Sequence, residues 1–216
     1  MKPVLSENDR SQLEKRIAEA ERLTKTQIVL ATVKRSDSYV EIPWKAFALG
    51  TSVTGLLVFS LDLSLVARIN DGAVLISIVT TLAIAAFVVL LTILFPGFAR
   101  LFLSDNRAET ETHQYAQSLF LSRELFSTAR RTGVLLLISQ FERKVVILPD
   151  KGLSKHVSKD DLKSIIELMK RPLAQSDFRR AMEIALDEFI RIIEPLSSDE
   201  QTDNELSNEI IIDKGL

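Results

Sequence analysis

The stretch GVLLLISQFERKVVILP, residues 133–149, decides the fold. Two apolar runs, 133–139 and 144–149, flank the four residues Gln140-Phe141-Glu142-Arg143. Each run has the length and composition of a buried strand. Four residues are too few for a crossover helix, so the two strands are predicted to form an antiparallel hairpin. Strands this apolar are usually covered on both faces, which predicts an α/β fold of the three-layer sandwich type. The covering layers must come from the flanking sequence.

Downstream, Ser158 and Asp161 form the reciprocal pair of a capping box, opening a helix that runs to about Lys170 and stops at Pro172. Ser176 or Asp177 opens a last helix, on which Phe178, Ala181, Ala185, Phe189 and Ile192 share one stripe. Upstream, residues 107–130 read as a polar helix with Ala116, Leu119 and Phe120 on one side. At the amino-terminal end a second capping box, Ser6 with Asp9, opens a helix over 6–24 with Leu13, Ile17, Ala20 and Leu23 inward. The β-branched run 26–33, TQIVLATV, then reads as a strand. One helix and one strand cannot bury a core alone. Residues 1–45 are therefore predicted to be the first part of a domain completed by 100–196.

Between the two parts lie apolar stretches 46–67 and 72–99, broken only by Asp62 and the linker Arg68-Ile69-Asn70-Asp71. About 20 apolar residues cross the hydrocarbon core of a bilayer as a helix. Residues 46–99 thus read as a transmembrane helical hairpin, with spans 46–67 and 72–97. Trp44 and Lys45 suit the interface at its start. Asp62, an acid inside an apolar run, lies close enough to the outer end to reach the interface. The small residues Gly50, Ser52, Gly55, Ala83, Ala85 and Ala86 suit close helix contact, within the hairpin or between copies. Lys34, Arg35 and Lys45 precede the first span, and Arg100 and Arg107 follow the second, against Arg68 alone in the linker. The positive-inside rule places both ends in the cytoplasm of a bacterial-type inner membrane. No apolar signal segment follows Met1-Lys2-Pro3-Val4-Leu5.

Composition narrows the function. A net charge of −2 gives no basic field for nucleic acid. Without cysteine there is no thiol catalysis and no disulfide. His113 and His156 lie far apart, in no metal-binding spacing, and read as surface residues. Residues 197–216 carry a strong excess of acid and read as a disordered tail, with Ile210-Ile211-Ile212 as a segment that could dock.

Residues 131–153, RTGVLLLISQFERKVVILPDKGL, resemble the TPM domain family. The pattern is Gly-Val-Leu after a helix (Gly133, Val134, Leu135), a charged turn (Glu142, Arg143), a second strand, and an acidic turn ending in glycine (Asp150, Lys151, Gly152). Leu5-Ser6, the stretch AEAERLTKTQIVLATV and Leu173–Phe178 are similar to its opening helix, first strand and last-helix entry. The resemblance implies an α/β sandwich, with acid phosphatase activity and divalent-cation binding, of Ca2+ or Mg2+, proposed for some members. Two features depart from the family pattern. Pro3-Val4 stand where many members have an aspartate, and the glycine-rich turn reads Pro149-Asp150-Lys151-Gly152.

The candidate site residues follow from these turns. Asp150, at a strand end before Lys151-Gly152, and Glu142, in the strand turn, are the candidate metal ligands. The bland readings are a turn-forming aspartate and a solvated hairpin tip. Arg131, next to Arg130 and ahead of Thr132-Gly133, is the candidate anion contact, without a P-loop or a helix starting after the glycine. Asp160-Asp161 is explained by helix capping. No nucleophile–base pair or cofactor fingerprint is present. The expectation is a membrane-tethered accessory or scaffold protein for membrane-protein assembly, maintenance or stress response. Its partners would be the bilayer, a membrane protein and, through the hairpin, a second copy. The alternative is a divalent-metal-dependent acid phosphatase.

Overall fold

The computed structural model describes residues 5–65, 71–128, 130–193, 210–213 and 215, with the backbone alone for 62–65 and 71. The chain divides into two compact units, Met1–Ser36 with Thr110–Leu216, and Asp37–Glu109.

The first unit is built on a four-stranded sheet in the order β3-β2-β1-β4, with β1 (Ile28–Val33), β2 (Val134–Ser139), β3 (Lys144–Pro149) and β4 (Ile211–Asp213). As the four-residue gap requires, β2 and β3 are antiparallel, Ser139 facing Lys144 and Val134 facing Pro149. β1 lies parallel to β2 in register from Ile28↔Val134 to Val33↔Ser139. Both strands are buried along their whole length. Alternation then sorts their side chains onto two faces.

Ile28, Leu30, Val134, Leu136 and Ile138 meet Leu13, Ile17 and Ala20 of α1 (Glu7–Thr24), together with α6 (Lys159–Ala174) and α7 (Phe178–Ile193). Val29, Ala31, Val33, Leu135 and Leu137 pack against Ala116 of α5 (Asp105–Ser122) and Leu125, with Tyr115, Leu119 and Phe120 around them. This is a three-layer α/β sandwich. Its two halves of sequence share one core, because a fully buried parallel strand needs a neighbour on each side and a helix on each face.

Both capping boxes form. The Ser6 and Ser158 hydroxyls accept the N–H of Asp9 and Asp161, whose carboxylates accept the N–H of the cap residue. Three features of this unit differ from the sequence reading. α5 ends at Ser122, because Glu124 turns left-handed (φ 52°) and a 3-10 turn, Leu125–Ser127, drives Leu125 under the sheet. α6 continues through Pro172 to Ala174. A proline this close to a helix end removes one bond of the last turn, and its carbonyl receives the N–H of Gln175 and Asp177. The carboxy-terminal segment is not wholly outside the fold. β4 pairs in parallel with Ala31–Val33 at the sheet edge, and Ile210 is fully buried. The Tyr115 hydroxyl donates to Asp213 at 2.8 Å, and Arg10 donates to the Ile210 carbonyl at 2.9 Å. Of the expected tail, residues 197–209, 214 and 216 lie outside the described residues.

The second unit holds α2 (Glu41–Leu65) and α3 (Asp71–Leu94), then the short α4 (Pro96–Ala99). Gly50 of α2 lies against Ala85 of α3, where a Cβ on Gly50 would sit 2.9 Å from the Ala85 Cα. The glycine is what lets the two helices touch. Gly55 has open space at its Cβ position. α3 stops at Leu94, short of 97, because Phe95 precedes Pro96 and is pushed into an extended conformation (φ −121°, ψ 98°). Windows of 21 residues (Glu41–Leu61) and 23 residues (Gly72–Leu94) are long and apolar enough to cross a bilayer, at about 32 and 35 Å. Leu56, Leu57, Phe59, Ile76, Val79 and Phe87 are among their exposed side chains. Arg107 joins Asp37 at 3.1 Å and Glu41 at 3.7 Å, tying the two ends of this unit together. The linker 68–70 and the Asp62 side chain lie outside the described residues.

Candidate functional site

The residues singled out from the sequence sit at the two ends of the β2–β3 hairpin. At the open end, Asp150 follows β3, and its N–H donates to the Gly133 carbonyl at 2.8 Å. Arg131 is left-handed (φ 56°), its N–H bonded to the Thr128 carbonyl. That geometry aims its guanidinium at Asp150, with Nε at 2.6 Å and Nη2 at 3.0 Å from the two carboxylate oxygens. The Lys151 N–H adds a third bond at 2.7 Å. Gly152 must be glycine for steric reasons, since a Cβ there would lie 2.3 Å from the Arg130 carbonyl oxygen and 2.6 Å from that of Arg131. Gly133 is equally constrained, 2.3 Å from the Leu125 carbonyl oxygen.

Burial pushes the Asp150 carboxyl up, but the hydrogen bonds from Arg131 and Lys151 and the charges of both outweigh it and hold it below the usual carboxylate range. The Arg131 guanidinium is raised in turn, first by its bond to Asp150. The pair is a bidentate clamp across the hairpin base.

The closed end is not the solvated tip that its charges imply. Glu142 is buried, while Arg143, left-handed at φ 54°, is exposed. β1 leaves the sheet beside this turn, with Gln140 and Phe141 donating to the Val33 and Lys34 carbonyls. Ser36 then donates its N–H to Glu142 Oε1 at 2.8 Å. The Ser139 hydroxyl donates to Glu142 Oε2. Ser36 Oγ lies 3.1 Å from Ser139 Oγ and 3.4 Å from Thr112 Oγ1. Arg35 covers the Phe141 ring at 4.1 Å. Glu142 thereby joins the exit of β1, the strand turn and α5.

Six strand residues separate the two carboxylates, about 20 Å at strand rise. Asp150 and Glu142 do not meet, and each has both oxygens committed to donors within the chain. Among the described residues no group of three or more His, Asp or Glu converges. The donor set does not fit a shared Ca2+ or Mg2+ centre. Arg131, the residue assigned to an anion, is engaged with Asp150 instead. Asp160 and Asp161 lie at the start of α6, where Asp161 serves the cap.

Residues 100–192 match the TPM domain family. That segment is similar to a TPM domain. The match begins after the two apolar helices, and the β1–β2 pairing brings α1 and β1 into the same domain from outside the matched segment. The fold is similar to that of the BA42 protein from the psychrophilic bacterium Bizionia argentinensis, at 13% sequence identity and a TM-score of 0.59. The alignment covers 98% of this chain and 97% of that one. Comparison with curated proteins finds no match.

Sequence reasoning missed a second feature of the first unit. A cavity of about 290 Å³ opens beside the hairpin base, lined by Lys25, Arg130, Thr132, Lys155 and His156 among others. Its residues come from four separate segments. The Arg130-Arg131 pair was the only local signal, and the structure gives each arginine a different place.

Proposed function

We propose that this is a membrane-anchored TPM-domain protein that acts as an accessory or scaffold module for membrane-protein assembly, maintenance or stress response. The observation that carries the reading is the second unit. Its two helices are each long enough for a bilayer and turn Leu, Ile, Val and Phe side chains outward along their length. Apolar surface on that scale in water would be a severe aggregation liability, and a bilayer is the solvent that suits it. The excess of basic residues outside the linker supports an inner-membrane hairpin with both ends cytoplasmic. Gly50 is used against Ala85 within the hairpin, which leaves the Gly55 face for a partner helix or a second copy.

The phosphatase alternative would need a cation site. The two candidate carboxylates are far apart and bonded internally, which favours the accessory reading. The test is membrane fractionation with topology reporters, followed by cross-linked capture of neighbours from native membranes. A reporter at Asn70 should be active outside the membrane, and reporters at both ends silent there. A protein that fractionates as soluble, or shows the reverse reporter pattern, would sink the membrane reading. Phosphomonoester turnover with Ca2+ or Mg2+ that disappears in Asp150→Asn would overturn the accessory role in favour of the enzyme.

A further inference from the structure

We propose that β4 is an exchangeable strand, and that the sheet edge it covers receives the same segment from a second copy of the chain. The edge is a built receptor for that segment. β1 offers Ala31, Thr32 and Val33 to Ile211, Ile212 and Asp213 in parallel register, and the Lys34 N–H donates to the Asp213 carbonyl at 3.3 Å. Arg10 of α1 holds the Ile210 carbonyl, and the Tyr115 hydroxyl of α5 holds the Asp213 carboxylate. Ile210 is fully buried in the cluster under α1, α6 and α7, while Ile211 packs on the cluster beneath α5. Gly215, left-handed at φ 77°, closes the segment, and a Cβ there would collide with the Arg35 carbonyl oxygen. Main-chain pairing gives such a site its affinity, and side-chain pockets its specificity. The pattern it reads is Ile-Ile-Ile-Asp, with Gly two residues on.

The simplest competing explanation is that β4 only completes its own sheet. The connection leading to it argues otherwise. Sixteen residues, 194–209, join Ile193 at the end of α7 to Ile210. Both ends belong to one hydrophobic cluster, so a connection within one copy has little distance to cover. Connections between neighbouring elements usually take about 4–6 residues. Sixteen residues reach about 55 Å when extended. The first unit, with about 140 residues, is about 37 Å across at ordinary packing. The same connection is therefore long enough to carry β4 beyond its own domain to the edge of a second one.

Exchange keeps every contact. The receiving groups belong to α1, β1 and α5 and the residues just after β1, and none of the bonds depends on which copy donates the strand. Swapping an identical element between copies is a low-cost route to association for this reason. An edge strand of three residues also opens at less cost than the core does. What decides between the two arrangements is concentration. A tethered segment has an effective concentration in the millimolar range, so at about 100 µM protein about one edge in ten is filled from a second copy at any moment. The joint runs through the first unit alone. It stands apart from any contact of the hairpin helices and does not need the bilayer reading.

The test exploits a chain without cysteine. Thr32→Cys gives up no hydrogen bond, since the Thr32 hydroxyl makes none among the described residues, and Ile212 is 41% exposed. Adjacent strands lie about 4.8 Å apart, within disulfide reach. The full chain with both Thr32→Cys and Ile212→Cys, dilute in detergent, should therefore close an intrachain disulfide. If it does not, β4 does not hold this edge and the proposal ends there. Two full chains with different tags, one Thr32→Cys and the other Ile212→Cys, are then mixed at about 100 µM and oxidised. A mixed dimer linked between positions 32 and 212 is expected, accumulating as each trapped strand leaves the exchange. Ile210→Asp in the donor should abolish it. Free peptide NEIIIDKGL, residues 208–216, at about 1 mM should roughly halve its initial rate, and a scrambled peptide should not. No mixed dimer despite the intrachain disulfide, or one that persists in Ile210→Asp or is untouched by the peptide, overturns the proposal.

Discussion

Deleting residues 37–109 and joining Ser36 to Thr110 with a six-residue Gly/Ser linker should leave a soluble domain that unfolds cooperatively. The ends are close together in the first unit, since Ser36 Oγ lies 3.4 Å from Thr112 Oγ1. The deletion replaces 73 residues with six. Loop-closure entropy scales as (3/2)RT ln n, so the shorter connection favours the folded state by at most about 2 kcal/mol. α5 loses its first turn but keeps Tyr115, Ala116, Leu119 and Phe120 against the sheet. The complementary fragment, 110–216, should fail. It lacks β1, whose Ile28, Val29, Leu30 and Val33 are all buried. At roughly 1.5–3 kcal/mol for each large aliphatic side chain, their loss removes about 6–12 kcal/mol, comparable to the whole stability of a small domain. Urea titration followed by circular dichroism, with sedimentation for oligomeric state, reads both outcomes. A monomeric, cooperatively unfolding 110–216 fragment, or a joined domain that aggregates without detergent, would refute the shared core.

Gly133→Ala should destabilise the domain by about 1–3 kcal/mol, because the added Cβ meets the Leu125 carbonyl oxygen at 2.3 Å; an unchanged melting temperature would contradict this. The Asp150 carboxyl is depressed in the folded state, so its contribution is fully present above the unfolded value of about 3.9 and is lost as pH falls through the lower folded value. Asp150→Asn should therefore flatten the acid limb of stability against pH, and an acid limb identical to the parent's would show that the clamp with Arg131 contributes nothing. Tyr115→Phe removes the hydroxyl bond to Asp213, and amide exchange at Ile211 and Ile212 should rise while the global unfolding free energy falls by only about 0.5–1.5 kcal/mol. A large global loss would make β4 integral to the core rather than an edge addition.

The layers of the sandwich were legible because they rest on local chemistry. The apolar runs of β2 and β3, the two capping boxes and the stripe of α7 each announce themselves within a dozen residues. The need of α1 and β1 for a partner was legible too, since they have no core of their own, and β1 pairs with β2. What could not be read was where the charged turns would point. Glu142 and Arg143 are adjacent and equally polar in sequence. Yet one is buried by the Ser36 N–H, which lies 106 residues away, and the other is exposed. Asp150 was legible as a turn residue, but its bond to Arg131 depends on that arginine adopting a left-handed backbone, which few non-glycine residues do. The cavity beside the hairpin base was illegible for the same reason on a larger scale, since Lys25 and Lys155 come to line one cavity only after the fold exists. β4 was visible as three isoleucines, but nothing local named β1 as their partner.

The parallel pairing of β1 with β2 also sets a schedule. Ile28 must wait for Val134, 106 residues later in the chain. At about 5–20 residues per second of synthesis, the first strand exists for several seconds before its main neighbour does, and longer before the strand on its other side. Throughout that interval an IVLATV strand has two open edges and, with only α1 made before it, one uncovered face, the condition under which chains associate wrongly. The two long apolar helices are made during the same interval. Both are complete before the sheet can close, so the two helices come first in time and assembly of the α/β sandwich second.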